Sequence, residues 1–131
     1  MRGVDARSVS RTEMYWTQID ERVIGDVVVL DLRGRVTVSD ESRPAADTVR
    51  RLLVQGRRKI VLNLAYVPFI DSLGIGDLVR GFTATQRAGG TLKLCGVGGR
   101  VRAVLGALHL GGVMDLFESE QEALDSFRPA S

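Results

Sequence analysis

The sequence predicts a single α/β domain built on a mixed sheet of four to five strands, with an N-terminal β-hairpin and four helices. Its 131 residues fit one compact domain, and 44% of them are apolar, which is enough for a core. Aromatic residues make up only 5%, so that core must consist of Val, Leu, Ile and Ala. Strand-like and helix-like segments alternate along the chain, and this order favours parallel strands joined by helices.

The first elements are predicted to be a β-hairpin and a helix. Residues 17–34 contain two β-rich runs on either side of an Ile-Gly-Asp turn signal at 24–26. Residues 45–55 carry apolar side chains at helical spacing, which predicts the first helix. Asp40 or Ser42 is the predicted cap of that helix.

The remaining elements follow from the same patterns. Residues 59–67 form an apolar run interrupted by Asn63, which predicts a strand covered on both faces. After it we predict a helix to about residue 88, a strand over 91–95, a helix over 101–108, a short strand over 113–117 and a final acidic helix within 118–127. In this last helix, Ser119 and Glu122 have the spacing of a capping box.

The charges are nearly balanced, with 18 basic and 16 acidic residues and a net charge of +2. This balance is too even to indicate nucleic-acid binding. Two clusters stand out, a basic one at Arg50, Arg51, Arg57, Arg58 and Lys59 and an acidic one at Asp115, Glu118, Glu120, Glu122 and Asp125. The basic cluster is interpreted as the solvated face and end of a helix, with a patch for phosphate or an acidic partner as the alternative. Together the clusters could support self-association, for example as a homodimer.

The chain has the features expected of a cytoplasmic protein. Its one cysteine, Cys95, cannot form an internal disulfide and is predicted to be a buried strand residue. No apolar stretch approaches the length of a membrane span, and no membrane association is expected. Residues 1–13 lack the apolar region of a signal peptide and are predicted to be a flexible N-terminal arm, followed by one domain over 14–131. Met14 is a candidate start of the gene product.

The informative motif stands where a buried strand leads into the second helix. Ser72 is a favoured residue for capping a helix, because its hydroxyl accepts a hydrogen bond from a free N–H of the first turn. Gly74 and Gly76 fall in that turn, where each costs about 1 kcal/mol relative to Ala. Such glycines would remove side chains from the surface beside Ser72 and let a partner's backbone approach. Ile75 between them is either an exposed docking residue or part of the core.

A phosphate group on Ser72 would be tolerated by the domain and would repel a partner. It adds a charge of about −1.5 to −2, and its oxygens would meet free N–H groups and the positive end of the helix dipole. The same charge beside Asp71 would repel and desolvate any protein docked on that surface. A penalty of about 1.4 kcal/mol already lowers affinity tenfold. The expected mechanism is local blockade.

The segment Asp71, Ser72, Leu73, Gly74, Ile75 and Gly76 resembles the phosphorylation motif of the STAS domain, specifically of the bacterial anti-sigma-factor antagonists. Their usual pattern is Asp-Ser-Ser/Thr-Gly-Leu-Gly after an apolar strand. The resemblance covers roughly residues 17–127 and includes the hairpin ending LRG, the strand IVLNL, the AGGTLKL step, the VRAVL helix and the ending LFESEQEAL.

The resemblance implies a STAS-like fold and a regulatory function without catalysis. The unphosphorylated domain would bind an anti-sigma factor that is also an ATP-dependent serine kinase, and this binding would release a sigma factor. Phosphorylation of Ser72 would block the binding, and a phosphatase would restore it. Partner contacts would fall on Asp71, Leu73, Gly74, Ile75, Gly76 and Thr37. No cofactor or metal is implied.

Three positions depart from the family pattern. Leu73 replaces the second hydroxyl residue, which leaves Ser72 as the only acceptor in the motif. Thr37 stands where many antagonists carry an aspartate implicated in partner contact, and Asn63 replaces a common aspartate in its strand. The last two leave the class of partner open. The alternative function is a STAS scaffold or regulatory subunit of a larger signalling assembly with an output other than a sigma factor.

Other sites fit the sequence poorly. A serine hydrolase would require the pattern Gly-x-Ser-x-Gly, but Ile70 stands at its first position and His109 is the only histidine available as a base. The segment Gly-Val-Gly-Gly at 96–99 lacks the third glycine of a dinucleotide-binding motif, because Val101 occupies that position. We therefore do not expect an enzyme.

Overall fold

The computed structural model describes residues 18–34, 44–108, 110 and 113–128. Within these ranges the chain forms five strands and four helices, which appear in the order β1 (Gln18–Ile24), β2 (Val27–Arg33), α1 (Pro44–Val54), β3 (Lys59–Tyr66), α2 (Ser72–Arg87), β4 (Thr91–Cys95), α3 (Gly99–Ala107), β5 (Asp115–Phe117) and α4 (Glu120–Asp125). This order confirms the predicted α/β fold with its opening hairpin. The predicted arm over 1–13 and the candidate start at Met14 lie outside the described residues.

The five strands form one mixed sheet in the order β1-β2-β3-β4-β5. The hairpin strands β1 and β2 are antiparallel, with Ile24 opposite Val27, and Gly25 adopts a φ of 64° in the turn between them. Such a left-handed conformation favours glycine. The pairs β2–β3, β3–β4 and β4–β5 are all parallel, so the carboxyl ends of β2 to β5 lie at the same edge of the sheet.

Both faces of the sheet are covered by helices. The main core lies on one face, where α1, α2 and α3 bury apolar side chains such as Val49, Leu78 and Leu105 against the strands. A smaller cluster lies on the other face, where Ala123 of α4 packs near Val61 of β3. Residues 60–64 of β3 are buried without exception, so the prediction of a strand covered on both faces is confirmed.

A carboxylate of α2 caps the N-terminus of α1. The two side-chain oxygens of Asp77 each accept a hydrogen bond of 2.9 Å, one from the N–H of Ala45 and one from that of Ala46. Asp77 is 1% exposed, and one helical turn further along Gly81 also faces α1 at Ala46 and Val49. The predicted caps Asp40 and Ser42 lie outside the described residues, but a distant residue satisfies these two N–H groups.

Arg22 links the hairpin to the C-terminal helix. Its guanidinium donates two hydrogen bonds to Asp31, of 2.7 and 2.8 Å, and two to Glu120, of 2.5 and 3.2 Å. Asn63 donates a further hydrogen bond of 2.8 Å to Asp31, which is buried. The hydrogen bond from Arg22 is the main reason that the pKa of Asp31 lies below its ordinary value. We call these four residues the Arg22 network.

Two further interactions stabilise α4, one within the helix and one with the sheet. Ser119 and Glu122 form the predicted capping box, in which the Ser119 hydroxyl accepts from the N–H of Glu122 at 3.1 Å and the Glu122 carboxylate accepts from the N–H of Ser119 at 3.3 Å. The ammonium group of Lys93 donates to the hydroxyl of Ser126 at 2.6 Å and lies 4.2 Å from the ring centroid of Phe127.

Replacing Asp77 with alanine should destabilise the packing of α1 on α2. We expect Asp77→Ala to lower the free energy of unfolding by about 2–4 kcal/mol, because two buried N–H groups lose a charged acceptor. Chemical denaturation measures the change. The matched control is Asp47→Ala, which removes an exposed acid from the first turn of α1, the helix that Asp77 caps. A loss below about 0.5 kcal/mol for Asp77→Ala would contradict the cap.

The Arg22 network should make stability depend on pH. We expect Asp31→Asn to lower the free energy of unfolding by about 1–3 kcal/mol at pH 7. Because the pKa of Asp31 is lowered in the folded state, its stabilising effect is fully present above the unfolded-state pKa of about 3.9 and decreases as the pH falls below it. The difference between wild type and variant should therefore begin to shrink near pH 4.

Urea denaturation from pH 7 to pH 3 measures this dependence. Asp20→Asn is the control, because Asp20 forms an exposed ion pair with Arg33, and its effect should stay below about 0.5 kcal/mol. A difference for Asp31→Asn that is the same at both ends of this pH range would exclude the proposed role of the carboxylate.

Candidate functional site

The predicted site lies where the chain passes from β3 into α2, at the carboxyl edge of the parallel strands. Residues 67–71 connect the two elements, and Val67 and Ile70 anchor this connection in the main core. Binding sites of open α/β sheets characteristically lie at this edge. The geometry therefore presents the first turn of α2 on a rigid support.

Asp71, and not Ser72, caps α2. The Asp71 side chain accepts a hydrogen bond of 2.8 Å from the N–H of Gly74, and its extended backbone (φ −101°, ψ 180°) is typical of a cap. Ser72 is already the first residue of the helix. The expectation that the serine acts as the cap is therefore wrong, because the neighbouring carboxylate, a stronger acceptor, takes that role.

Ser72 is left free by this arrangement. Its side chain is exposed, and its N–H and that of Leu73 make no hydrogen bond with the described part of the chain. No acidic side chain follows the cap within the first turn. These two N–H groups and the positive end of the helix dipole are available to an anion attached to the serine.

The exposed apolar residue beside Ser72 is Leu73. Leu73 is 61% exposed, whereas Ile75 is 4% exposed and packs in the main core. Of the two interpretations of Ile75, the core one is correct, so its side chain does not lie on the surface beside Ser72. Helical spacing explains this, because Ile75 lies on the same face as the buried Leu78 and Phe82.

The two glycines of the motif differ in their surroundings. Gly76 is half-buried, and a Cβ atom there would meet nothing within 4 Å, so its outer side is open as predicted. Gly74 is buried. The expectation that Gly74 clears the surface is therefore wrong. Its spacing from Asp77 and Gly81 puts it on the helix face that contacts α1.

Two aromatic side chains that the sequence analysis did not select lie near this connection. Tyr66, at the end of β3, is 50% exposed and stacks with the guanidinium of Arg33 at 4.2 Å from the ring centroid. Phe69 is 40% exposed and follows Pro68 in the connection to α2. An aromatic residue after a proline, just beyond a buried strand, was the available signal. We define the α2 surface as Tyr66, Phe69, Ser72, Leu73 and Gly76.

Asn63 is part of the interior. Besides its hydrogen bond to Asp31, its side-chain oxygen accepts from the N–H of Ala65 at 3.0 Å. A Cβ atom on Gly96 would lie 2.9 Å from that same oxygen, so β4 approaches Asn63 closely. An aspartate here would place a second carboxylate against Asp31. Thr37, the other departure from the pattern, lies outside the described residues.

The other groups considered in the sequence were compared with the described residues. The described residues contain no group of three or more His, Cys, Asp and Glu side chains placed to hold a metal ion. Burial raises the pKa of the Cys95 thiol to about 11, so this cysteine is protonated at neutral pH. His109 lies outside the described residues. In the described part of the chain, no helix combines the length and apolar character needed to span a bilayer.

Comparison with known proteins finds relatives that include candidate anti-sigma factor antagonists. A protein of Thermotoga neapolitana, named as a candidate anti-sigma factor antagonist, is 26% identical over 104 residues, which cover 79% of this chain and 92% of the relative. The crystal structure of a candidate anti-sigma factor antagonist from Thermotoga maritima has a TM-score of 0.72 at 24% identity and covers 85% of this chain and 95% of the other.

The Bacillus cell-fate determinant SpoIIAA has a similar fold in two states. Its phosphorylated form superposes with a TM-score of 0.64 at 23% identity, covering 86% of this chain and all of SpoIIAA. The unphosphorylated form, an anti-sigma factor antagonist, gives 0.63 at 20% identity and covers 88% of this chain and all of the other.

The family match agrees with the architecture. The model of the STAS domain matches residues 18–123, a range that begins at β1 and ends within α4. This range contains the whole sheet and the connection that presents Ser72. The chain belongs to the STAS-domain family.

Proposed function

We propose that this protein is an anti-sigma factor antagonist that is switched off by phosphorylation of Ser72. The unphosphorylated domain binds an anti-sigma factor that is also a serine kinase, and this binding releases a sigma factor. The observation that carries the proposal is an exposed serine in the first turn of α2, beside an exposed leucine and next to a separate residue that caps the helix.

Asp71 caps the helix and Ser72 does not, and this difference supports a reversible modification of the serine. Since the Asp71 carboxylate already binds the N–H of Gly74, modifying the serine removes no capping interaction. Phosphate oxygens on Ser72 would accept hydrogen bonds from free N–H groups of the first turn. The domain would therefore stay folded, and the modification would change the surface alone.

The effect on a partner follows from the composition of the α2 surface. Leu73, Phe69 and Tyr66 offer apolar area that a partner would remove from water, and Gly76 leaves room for a close approach. A phosphate in the middle of such a contact must be desolvated and faces the charge of Asp71. Blockade of the contact is the expected result.

The relatives support this function. Those from both Thermotoga species are named as candidate anti-sigma factor antagonists, and SpoIIAA occurs in phosphorylated and unphosphorylated forms. The fold of this chain is similar to that of both forms, with TM-scores of 0.64 and 0.63. In this proposal the domain acts in the cytoplasm by binding, a partner kinase and a phosphatase carry out the chemistry, and the domain itself is not an enzyme.

Variants of Ser72 test the switch. We expect Ser72→Ala to abolish phosphorylation by an anti-sigma factor kinase of the same organism. The affinity of this variant for the kinase should stay within about threefold of that of the unphosphorylated wild type. Ser72→Asp should weaken binding by about tenfold or more, since about 1.4 kcal/mol is enough for that change. Intact-protein mass spectrometry after incubation with kinase and ATP, together with calorimetry, measures both effects.

Ser72→Asn is the matched control for size, because it resembles the aspartate without its charge. Equal affinities of the Asp and Asn variants would exclude electrostatic blockade. A phosphate found on Thr37, Ser39 or Ser42 would overturn the assignment of the site.

A second test separates Leu73 from Ile75. We expect Leu73→Ala to weaken partner binding by about tenfold, because exposed apolar area at the contact is lost, while the free energy of unfolding changes by less than about 0.5 kcal/mol. The control Val54→Ala removes an exposed apolar side chain at the end of α1, outside the α2 surface, and should leave binding unchanged. Ile75→Ala should instead lower stability by about 2–4 kcal/mol. Unchanged binding by Leu73→Ala would contradict the proposed contact.

A further inference from the structure

A groove lies between α1 and α2, away from the first turn that carries Ser72. Its volume is about 520 Å³, and its floor is formed by small or apolar side chains of α2 and of the residue that follows it, namely Val79, Ala84 and Ala88. Three arginines line it, with Arg50 on α1 and with Arg80 and Arg87 on α2. The groove therefore combines an apolar floor with a strongly basic rim.

The basic rim is not neutralised within the molecule. Arg80 and Arg87 are exposed and form no ion pair or hydrogen bond within the part of the chain that the structure describes. Arg50 has one distant contact, 4.0 Å from the carboxylate of Asp47. Exposed acids of the hairpin are engaged elsewhere, in the ion pairs Asp20–Arg33, Glu21–Arg51 and Asp26–Lys59.

A complementary acidic surface lies on the opposite side of the sheet. Glu118, Glu122 and Asp125 are exposed. Glu122 and Asp125 are three residues apart on one side of α4, and Glu118 immediately precedes its cap, Ser119. Asp115 of β5 is also exposed, on the strand that precedes α4. Among the described cations, only Arg128 approaches these four carboxylates within 4.0 Å, at 3.9 Å from Asp125. We call these four residues the α4 acidic surface.

We propose that the groove binds the α4 acidic surface of a second copy of this chain. The α4 helix is short enough to fit along the groove, because residues 79–87 of α2 span about 14 Å and the six residues of α4 span about 9 Å. Arginine side chains bind carboxylates through two parallel hydrogen bonds, which gives the contact a defined geometry. Neither surface requires a change in the fold.

This contact has a definite assembly geometry. The groove lies with the main core on one face of the sheet, and α4 lies on the other face. Binding one copy therefore leaves a free groove at one end of the pair and a free α4 acidic surface at the other. Such a head-to-tail contact continues to a third copy. Its electrostatic part weakens when salt is added.

Sedimentation velocity over a concentration series tests the proposal. At low salt, we expect the weight-average mass of the wild type to rise continuously beyond that of a dimer. Raising the ionic strength from about 0.05 to 0.5 M should weaken the association by about tenfold or more. A wild type that stays monomeric at millimolar concentration, or that stops at a dimer, would overturn the proposal.

Charge reversal identifies the two surfaces. A groove variant, Arg80→Glu with Arg87→Glu, and an α4 variant, Glu118→Lys with Asp125→Lys, should each be monomeric. The first gives the groove a net negative charge that repels the α4 acidic surface, and the second leaves that surface without net charge. An equimolar mixture should form heterodimers, since the unaltered groove of the α4 variant then meets the unaltered α4 acidic surface of the groove variant. The α4 variant retains Glu122, which forms the capping box.

The controls separate this contact from net charge and from the Ser72 switch. Arg100→Glu with Arg102→Glu changes the net charge as the groove variant does, but on exposed positions of α3, and should associate like the wild type. Ser72→Ala should also associate normally. Circular dichroism establishes that each variant is folded. Undiminished association of the groove variant alone, or failure of the mixture to associate, would refute the assigned contact.

Discussion

The carboxylate of Asp77 determines how the two largest helices sit on the sheet. It is buried in the contact between α1 and α2 and accepts hydrogen bonds from the N–H groups of Ala45 and Ala46. Gly81, one turn further along α2, also faces Ala46 and Val49 of α1. Because α2 is fixed in this way, its first turn and its outer side face solvent in a constant orientation. The α2 surface and the basic groove both depend on that orientation.

Consecutive residues at the start of α2 differ in exposure and in structural role. Asp71 caps the helix, Ser72 and Leu73 face solvent, Gly74 is buried and Ile75 enters the core. The residues that hold the turn in place therefore differ from those that a partner would contact. A change in the charge of Ser72 can alter recognition without loosening the support beneath it, and this separation is what a reversible switch requires.

Local patterns in the sequence were sufficient for most of the fold. The hairpin turn, the strand buried on both faces and the capping box of Ser119 and Glu122 are all encoded by neighbouring residues, and all three predictions are confirmed. The motif predicted that Ser72 stands at the beginning of a helix, and Ser72 is the first residue of α2. Which residue caps this helix could not be predicted, because Ser72 and Asp71 are both good caps and the sequence alone does not decide between them.

Interactions between residues far apart in the sequence could not be predicted from it. Asp77 follows two glycines and a core isoleucine, and nothing in that local pattern indicates that its carboxylate caps another helix some thirty residues earlier. The Arg22 network joins β1, β2, β3 and α4 in the same way. The role of Asn63 emerges only once these elements are assembled.

The order of the strands in the sheet follows their order along the chain. Each new strand therefore pairs with the one synthesised immediately before it, and no strand has to be inserted between two that are already paired. A chain emerging from the ribosome can extend its sheet one strand at a time, without waiting for a strand that is translated later. The docking of α1 is the exception, because the carboxylate that receives its first N–H groups is translated about thirty residues later. Nascent chains shorter than α2 would thus hold a sheet whose first helix is not yet locked in place.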